Sequence, residues 1–325
     1  MLKLLLVGDP HFKKTNLDDM DILSFDVIKY IEEYKPDAVV IMGDLLHTHE
    51  SINSIVLCKC IEFLKQIALN VKLYVIIGNH DRINNSDFMS DIHPFTAVDM
   101  WENAKVISKT EKVTLVVRDK EYKILMVPYV YPGRFAEAIN TVDNPLDVTC
   151  VLCHQEFFGC KMGGIISAVG DKWNSNNPLV ISGHIHDYQR LGGNIIYVGS
   201  PIQHSFGSSN CGKISLFEFS DKVKETRLDI NVKKRKTIYV DCVGMKSLKN
   251  ITNSKYHIRI VIKDTKANID SMMRTTKLPN VKITVKVVDE VFLSANGGNF
   301  EEILIKEMGD NLPEISWYNY LSKGN

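Results

Sequence analysis

Five apolar runs in this chain break off into short polar clusters, and their order limits the fold more than any other feature. Leu2–Val7 runs into Gly8-Asp9-Pro10-His11, Ala38–Met42 into Gly43-Asp44, Val71–Ile77 into Gly78-Asn79-His80-Asp81, and Leu179–Ser182 into Gly183-His184-Ile185-His186. A single histidine, His154, follows the fifth run, Asp147–Cys153. A short continuous apolar run closed by glycine reads as a strand buried on both faces. Asp21–Tyr34 places Ile22, Phe25, Ile28 and Ile31 at helical spacing, with Pro36 as the stop. Ser51 is a candidate cap for a helix through Leu69, with Ile52, Ile55, Val56, Phe63 and Ile67 on its apolar stripe. Strand, helix, strand, helix, strand implies parallel pairing with helices on the sheet faces.

Further along, strands dominate. Lys112–Arg118 and Tyr122–Val127 read as a hairpin around Asp119-Lys120, and Asn194–Val198 and Ile214–Phe219 add short strands after glycine turns. The expected fold class is α/β: two mixed β-sheets, or one mixed sheet, flanked by helices, over residues 1–230. From 231 to 325 the texture shifts to a smaller αβ domain, with strands at Tyr256–Ile262 and Val281–Val288, a helix near Ala267–Thr275 and a helical pattern at Phe300–Met308. The basic run Lys233-Lys234-Arg235-Lys236 reads either as a solvated edge or linker, or as a polyanion contact.

With 39 basic and 39 acidic residues in 325, the formal charge is zero, so no global field marks a nucleic-acid binder. A polyanion would have to be held by a local patch or by metals. Seven cysteines without framework spacing point to free thiols in a reducing compartment. Cys150-x-x-Cys153 is open to two readings, a zinc half-site or redox pair, or two small buried hydrophobes in a strand. The apolar start is too short for a signal peptide, and no apolar run is long enough to span a membrane. The expectation is a soluble intracellular protein, in cytoplasm or nucleoid, or in a host cell if the source is viral.

The polar clusters carry the chemistry. In open sheets, ligands bind at the carboxyl ends of parallel strands, so clusters as distant as Asp9 and His186 can converge there. Imidazoles mixed with carboxylates suit manganese, iron or zinc better than calcium or magnesium. An aspartate can bridge two ions, and a bridged pair polarises a phosphoryl group and generates hydroxide near neutral pH. An imidazole outside the metal shell could then protonate the leaving group.

The ordered set Asp9-x-His11, Gly43-Asp44, Gly78-Asn79-His80-Asp81, His154 and Gly183-His184-x-His186 resembles the calcineurin-like metallophosphoesterase superfamily. His47, three residues after Asp44, and Tyr197-Val198-Gly199-Ser200-Pro201 with Ser205-Phe206 resemble the SbcD-type DNA repair nucleases, which include the meiotic-recombination-eleven nuclease. These motifs lie within residues 1–210, and beyond 235 the likeness is architectural, a small αβ unit where that family carries a DNA-capping domain. The resemblance implies that Asp9, His11, Asp44 and His186 hold one metal and that Asp44, Asn79, His154 and His184 hold the other. It implies a catalytic imidazole outside the metal shell at His80, an orienting role for Asp81, and a phosphate-facing role for His47, whose alternative is a helix-start or loop histidine. The metals would be two divalent ions, manganese first, with iron or zinc also compatible. His49, His93, His204 and His257 match no motif and read as structural.

The implied partners are DNA, a second copy of the chain and an SbcC-like coiled-coil ATPase. The helix Ser51–Leu69 and the segment Met89–Trp101 take the position of the family's dimer interface. Phe300–Tyr320 could dock the ATPase or pack on its own domain. The glycine-containing segment Gln155–Trp173 reads as a substrate loop or an irregular connection. Two other functions compete with a DNA nuclease: a phosphoesterase acting on a nucleotide or phosphoprotein, and a metal-free scaffold that keeps the fold.

Overall fold

The computed structural model describes residues 1–48, 51–207, 212–244, 256–275 and 282–287. They fall in two compact units, Met1–Val232 and Lys233–Asn325. In chain order the first unit begins β1 (Leu2–Val7), α1 (Leu17–Tyr34), β2 (Ala38–Ile41), α2 (Ser54–Ala68), β3 (Lys72–Ile76) and β4 (Ala104–Ile107). The hairpin β5 (Glu111–Val117) and β6 (Lys120–Val127) follows, then α3 (Phe135–Ile139), β7 (Cys150–Cys153), and the small hairpin β8 (Lys161–Met162) and β9 (Ile165–Ile166). The unit ends with β10 (Val180–Ser182), β11 (Gln189–Leu191), β12 (Ile195–Tyr197), β13 (Lys213–Phe219) and β14 (Val223–Asp229).

Two six-stranded sheets form a sandwich, ordered β14-β13-β1-β2-β3-β4 and β11-β12-β10-β7-β6-β5. Both are mixed. β1 to β4 run parallel, while β13 pairs antiparallel with β1. β6, β7, β10 and β12 run parallel, with antiparallel β5 and β11 at the edges.

Alternation along each strand explains why the runs are almost wholly apolar, with half-buried Lys3 and Lys72 near the starts of β1 and β3 as the exceptions. Leu2, Leu4 and Leu6 point into the sandwich core with Val40, Ile76, Ile124, Leu152 and Ile181. Leu5 and Val7 point the other way, onto the helices, with Val39, Ile41, Leu73 and Val75. The outer face of the second sheet, including Leu125, Val151 and Val180, packs on Phe135, Ile139 and Phe157. A strand covered on both faces needs apolar residues at every position.

The helices correct the sequence reading in phase. α1 starts at Leu17, and its buried face is Met20, Leu23, Val27, Tyr30 and Ile31. Phe25, expected on the stripe, is 71% exposed. The i, i+3, i+7 row from Met20 wins because it lets Leu23 and Val27 reach the sheet. α2 is capped by Asn53, whose side chain accepts from the amides of Ile55 and Val56, not by Ser51. Ile52 and Ile55 are consequently exposed, while Val56, Cys60, Phe63, Leu64 and Ile67 are buried. The β5–β6 turn is Arg118-Asp119, both with positive φ, one residue before the expected site. Cys150 and Cys153 are both buried free thiols in β7, as the small-hydrophobe reading has it.

The second unit holds β15 (Lys234–Val240), β16 (Tyr256–Asp264), α4 (Lys266–Thr275) and β17 (Lys282–Val287). The three strands are parallel in the order β15-β16-β17. Val240, Ile258, Ile260, Ile262, Ile269 and Met272 form its core. The basic run is no linker here: Lys234, Arg235 and Lys236 open β15, and the Lys236 ammonium sits over the Tyr256 ring at 3.8 Å. The helical pattern at Phe300–Met308, the docking segment Phe300–Tyr320 and His49 lie outside the described residues.

Candidate metal centre

Each polar cluster follows the carboxyl end of a parallel strand. Asp9 and His11 follow β1, Asp44 follows β2, and Asn79 and His80 follow β3. His154 follows β7, and His184 and His186 follow β10. The sandwich brings both sheets' strand ends to one rim. The β1 and β2 loops are also tied together, since the amides of His11 and Phe12 donate to the carbonyls of Asp44 and Leu45 at 3.0 and 2.7 Å.

Asp44 stands at the centre. Its Oδ2 lies 3.4 Å from His11 Nε2, and its Oδ1 lies 3.3 Å from His154 Nε2. On the Oδ2 side, His11 Nε2 and His186 Nε2 are 3.0 Å apart. Asp9 completes that group: its Oδ1 accepts from the His184 amide at 2.8 Å, while its buried Oδ2 has no hydrogen-bond partner. On the Oδ1 side, His154 Nδ1 lies 2.7 Å from the Met42 carbonyl, which can only accept, so the ring donates there. His154 Nε2 then faces Asn79 Oδ1 at 3.1 Å and His184 Nδ1 at 3.2 Å. Two groups of lone pairs thus converge, one on each oxygen of Asp44. Among the described residues, Asp9-His11-Asp44 and Asp44-His154-His184 each have ligand atoms within 4.8 Å of one another. The donor set fits divalent metal.

The electrostatics say the same. Burial pushes Asp9 up to about 7, with Asp44 adding to the rise. Asp44 is itself buried, yet His154 beside it holds its carboxyl well below the usual range. Burial opposes a charge on His154, but Asp44 and Asp9 outweigh it and raise the ring to about 9. Burial lowers His184 to about 3 and depresses His11 and His186 as well, keeping those lone pairs available. The two carboxylates beside it thus favour a proton on His154.

The backbone bends to build this rim. Asp9, His11, Asp44 and His184 all have positive φ, between 26° and 77°. Four non-glycine residues in that region at one site are held there by surrounding structure. Gly43 has φ of 102°, and a Cβ on it would strike the His154 ring. A Cβ on Gly78 would strike the Asp44 carboxylate and amide. Asp81 is 2% exposed and receives the amides of Leu45, Leu46 and Gly78 at 3.0–3.2 Å. It therefore fixes the loop that carries Asp44.

His80 and His47 sit beside the centre. The His80 amide donates to Asp44 Oδ1 at 2.9 Å, and its Nδ1 lies 2.8 Å from the His47 carbonyl. A carbonyl can only accept, so that contact places a proton on Nδ1 and leaves Nε2 turned away from it. The exposed His47 ring stacks parallel to His80, with centroids 5.8 Å apart. A cleft of about 580 Å³ opens here, lined by Asp44, Asn79, His80, Lys161, Met162 and His186 among others.

The chain matches the calcineurin-like phosphoesterase model over residues 2–216. The chain belongs to the calcineurin-like phosphoesterase family. It is 40% identical over 268 residues to a viral protein carrying a phosphoesterase name, 244L of Invertebrate iridescent virus 6. That alignment covers 80% of this chain and 93% of the relative. It is 39% identical over 235 residues to 078R of Invertebrate iridescent virus 3, also named as a phosphoesterase, covering 71% of this chain and 66% of the relative. Among solved structures it is similar to GAP50, the anchor in the inner membrane complex of Plasmodium. That likeness has a TM-score of 0.46 and 13% identity, over 89% of this chain and 98% of the other. Phosphoesterase hydrolase activity is the property of this family, and the His and Asp groups at the rim could hold divalent metal. No helix among the described residues is long and apolar enough to cross a membrane.

Two residues that enter this phosphoesterase rim escape the sequence reading. Tyr129, 5% exposed, packs its ring 5.6 Å from His184 and 6.1 Å from His154. It follows β6, another strand end, which is the signal that could have found it. His204, read as structural, instead lies with its ring centroid 4.6 Å from both His11 and His186. His93 stays away from the centre, against Phe95. The segment Gln155–Trp173 divides between its two readings. Gln155, Phe157, Cys160, Ser167 and Asp171 are buried anchors, while the β8–β9 hairpin is exposed and reaches the cleft through Lys161 and Met162.

Proposed function

We propose that this chain is a two-metal phosphodiesterase that hydrolyses DNA. The observation that carries the two-metal half is Asp44, whose two oxygens face two separate groups of lone pairs. Asp9, His11, Asp44 and His186 would hold one ion, and Asp44, Asn79, His154 and His184 the other. Bound there, such a pair polarises a phosphoryl oxygen and supplies hydroxide near neutral pH. The chain's own residues do the rest. His80 donates its proton from Nε2 to the leaving oxygen, and its Nδ1 contact with the His47 carbonyl keeps the ring aimed. Asp81 holds the Asp44 loop still.

Three features support DNA over a small phosphate ester. His47 stacks on His80, which lines the cleft, so a second imidazole lies close to where a phosphate backbone would run. Lys161 adds a cation to the cleft wall, beside the apolar Met162. The cleft is open rather than a closed pocket, which suits a long chain. Manganese is proposed to support the reaction, with iron or zinc compatible with the same ligands, and a homodimer working with a coiled-coil ATPase is the proposed assembly.

The test is cleavage of double- and single-stranded DNA by purified protein with manganese, beside a nucleotide and a phosphopeptide. DNA cleavage that disappears in His80→Ala while bound metal persists supports the proposal. Rapid turnover of the nucleotide or phosphopeptide with inert DNA replaces it with the phosphoesterase reading.

A further inference from the structure

His204 lies outside every metal motif, yet it completes a triangle of imidazoles with His11 and His186. Each pair in contact with His204 has centroids 4.6 Å apart, and one ligand nitrogen from each of the three rings lies within 4.8 Å of the others. The chain places it there deliberately. Ser200, following Gly199 at positive φ, donates from Oγ to the Asp9 carbonyl at 2.9 Å and accepts the Ile202 amide at 3.2 Å. That turn swings His204 back over the β1 loop, where its Nε2 lies 2.9 Å from the Asp9 carbonyl and 2.7 Å from Ser200 Oγ.

The tautomer follows from these partners. A carbonyl oxygen can only accept, so a lone pair on Nε2 at that distance would face another lone pair. Nε2 therefore carries the proton, and Nδ1 carries the lone pair. Nδ1 is buried and has no hydrogen-bond partner. The buried Asp9 Oδ2 is also without one. A buried acceptor left unpaired costs free energy, and such atoms call for an ion or another explanation.

We propose that His204 supplies Nδ1 as a third imidazole ligand to the ion held by Asp9, His11 and His186, giving this site a nitrogen-rich shell that favours zinc over manganese. The inference rests on the two-metal reading above. Imidazole nitrogen binds zinc and ferrous iron well and manganese weakly, so a third ring raises zinc affinity more than manganese affinity. The second site, with Asn79 and Asp44 oxygens beside two imidazoles, receives nothing from His204.

The experiment is metal titration of the full chain stripped of metal, with zinc, manganese and cobalt(II) as probes. His204→Gln is the decisive variant, because its amide can still donate to the Asp9 carbonyl but has no counterpart to Nδ1. His204→Ala removes both functions. Wild type should bind two ions per chain, and His204→Gln should lose about tenfold or more in zinc affinity at one of them, with a smaller loss for manganese. The cobalt(II) visible absorption should change intensity for that one site, and melting of the stripped protein should stay at the wild-type temperature. If His204→Gln keeps wild-type zinc affinity and cobalt spectrum while both ions bind, the ligand role is wrong and the two-metal reading stands. If wild type binds no ion at all, both fail.

Discussion

The Nε2 atoms of His11 and His186 lie 3.0 Å apart although 175 residues separate them. Two neutral imidazoles facing each other at this distance share at most one proton, and Asp44 Oδ2 and the unpartnered Asp9 Oδ2 belong to the same group. A divalent ion satisfies all of them at once. Stripping metal with a chelator is therefore expected to lower the melting temperature by several degrees. Ligand at a hundredfold excess over Kd adds about 3 kcal/mol. Scanning calorimetry with and without manganese checks this, and identical curves would contradict it.

His80 meets the centre through its amide, which donates to Asp44 Oδ1, while its ring lies beside those of His11 and His47. His80→Ala is expected to lower kcat by about 10²–10⁴-fold, the range for a general acid. Metal content measured by elemental analysis should stay at the wild-type level, which separates a proton donor from a ligand.

Asp81 acts through the loop it holds. In Asp81→Asn an amide NH₂ must face one of the three backbone amides of Leu45, Leu46 and Gly78. The expected cost is about 1–3 kcal/mol of stability from the unpaired buried groups. Metal affinity should fall about 10–100-fold, as for a residue that orients a ligand. Denaturant melts and a metal titration read the two effects separately.

Gly78 is required for space. Gly78→Ala pushes a methyl into Asp44, so it should lose metal binding and stability together. Gly193→Ala meets nothing within 4 Å and should leave both unchanged. Equal behaviour of the two variants would remove the steric account.

Lys161 and Met162 place the β8–β9 hairpin on the cleft wall. Lys161→Glu should raise KM for DNA several-fold, more at low salt than at high, because a charge contact with a polyanion is screened. The value of kcat should change little. An unchanged KM at every salt concentration would take the hairpin out of substrate binding.

Much of the fold is readable along the chain because both sheets are covered. Ala38–Ile41 has no polar position and Leu2–Val7 has only Lys3 near its start, the pattern of a strand buried on two faces. The helix faces were harder. In α1 both the Ile22–Phe25 row and the Met20–Leu23 row have helical spacing, and only the position of the sheet chooses between them. The Asn53 cap was hidden for a similar reason: Ser51 and Asn53 are both good caps, and the start of the first turn decides.

The sequence by itself determined the strand-end clusters, their order and the chemistry of their atoms, because residue type fixes which groups carry lone pairs and charge. It named Asp9, His11, Asp44, Asn79, His80, His154, His184 and His186 on those grounds. Only the tertiary structure decided which of these atoms meet. It split the two oxygens of Asp44 between two groups, set the Nδ1 proton of His154 on the Met42 carbonyl, and folded the Ser200 turn so that His204 joins His11 and His186. The physical reason is that a lone pair's partner is set by direction and distance across the sandwich rim, and neither is written in the spacing of residues along a chain.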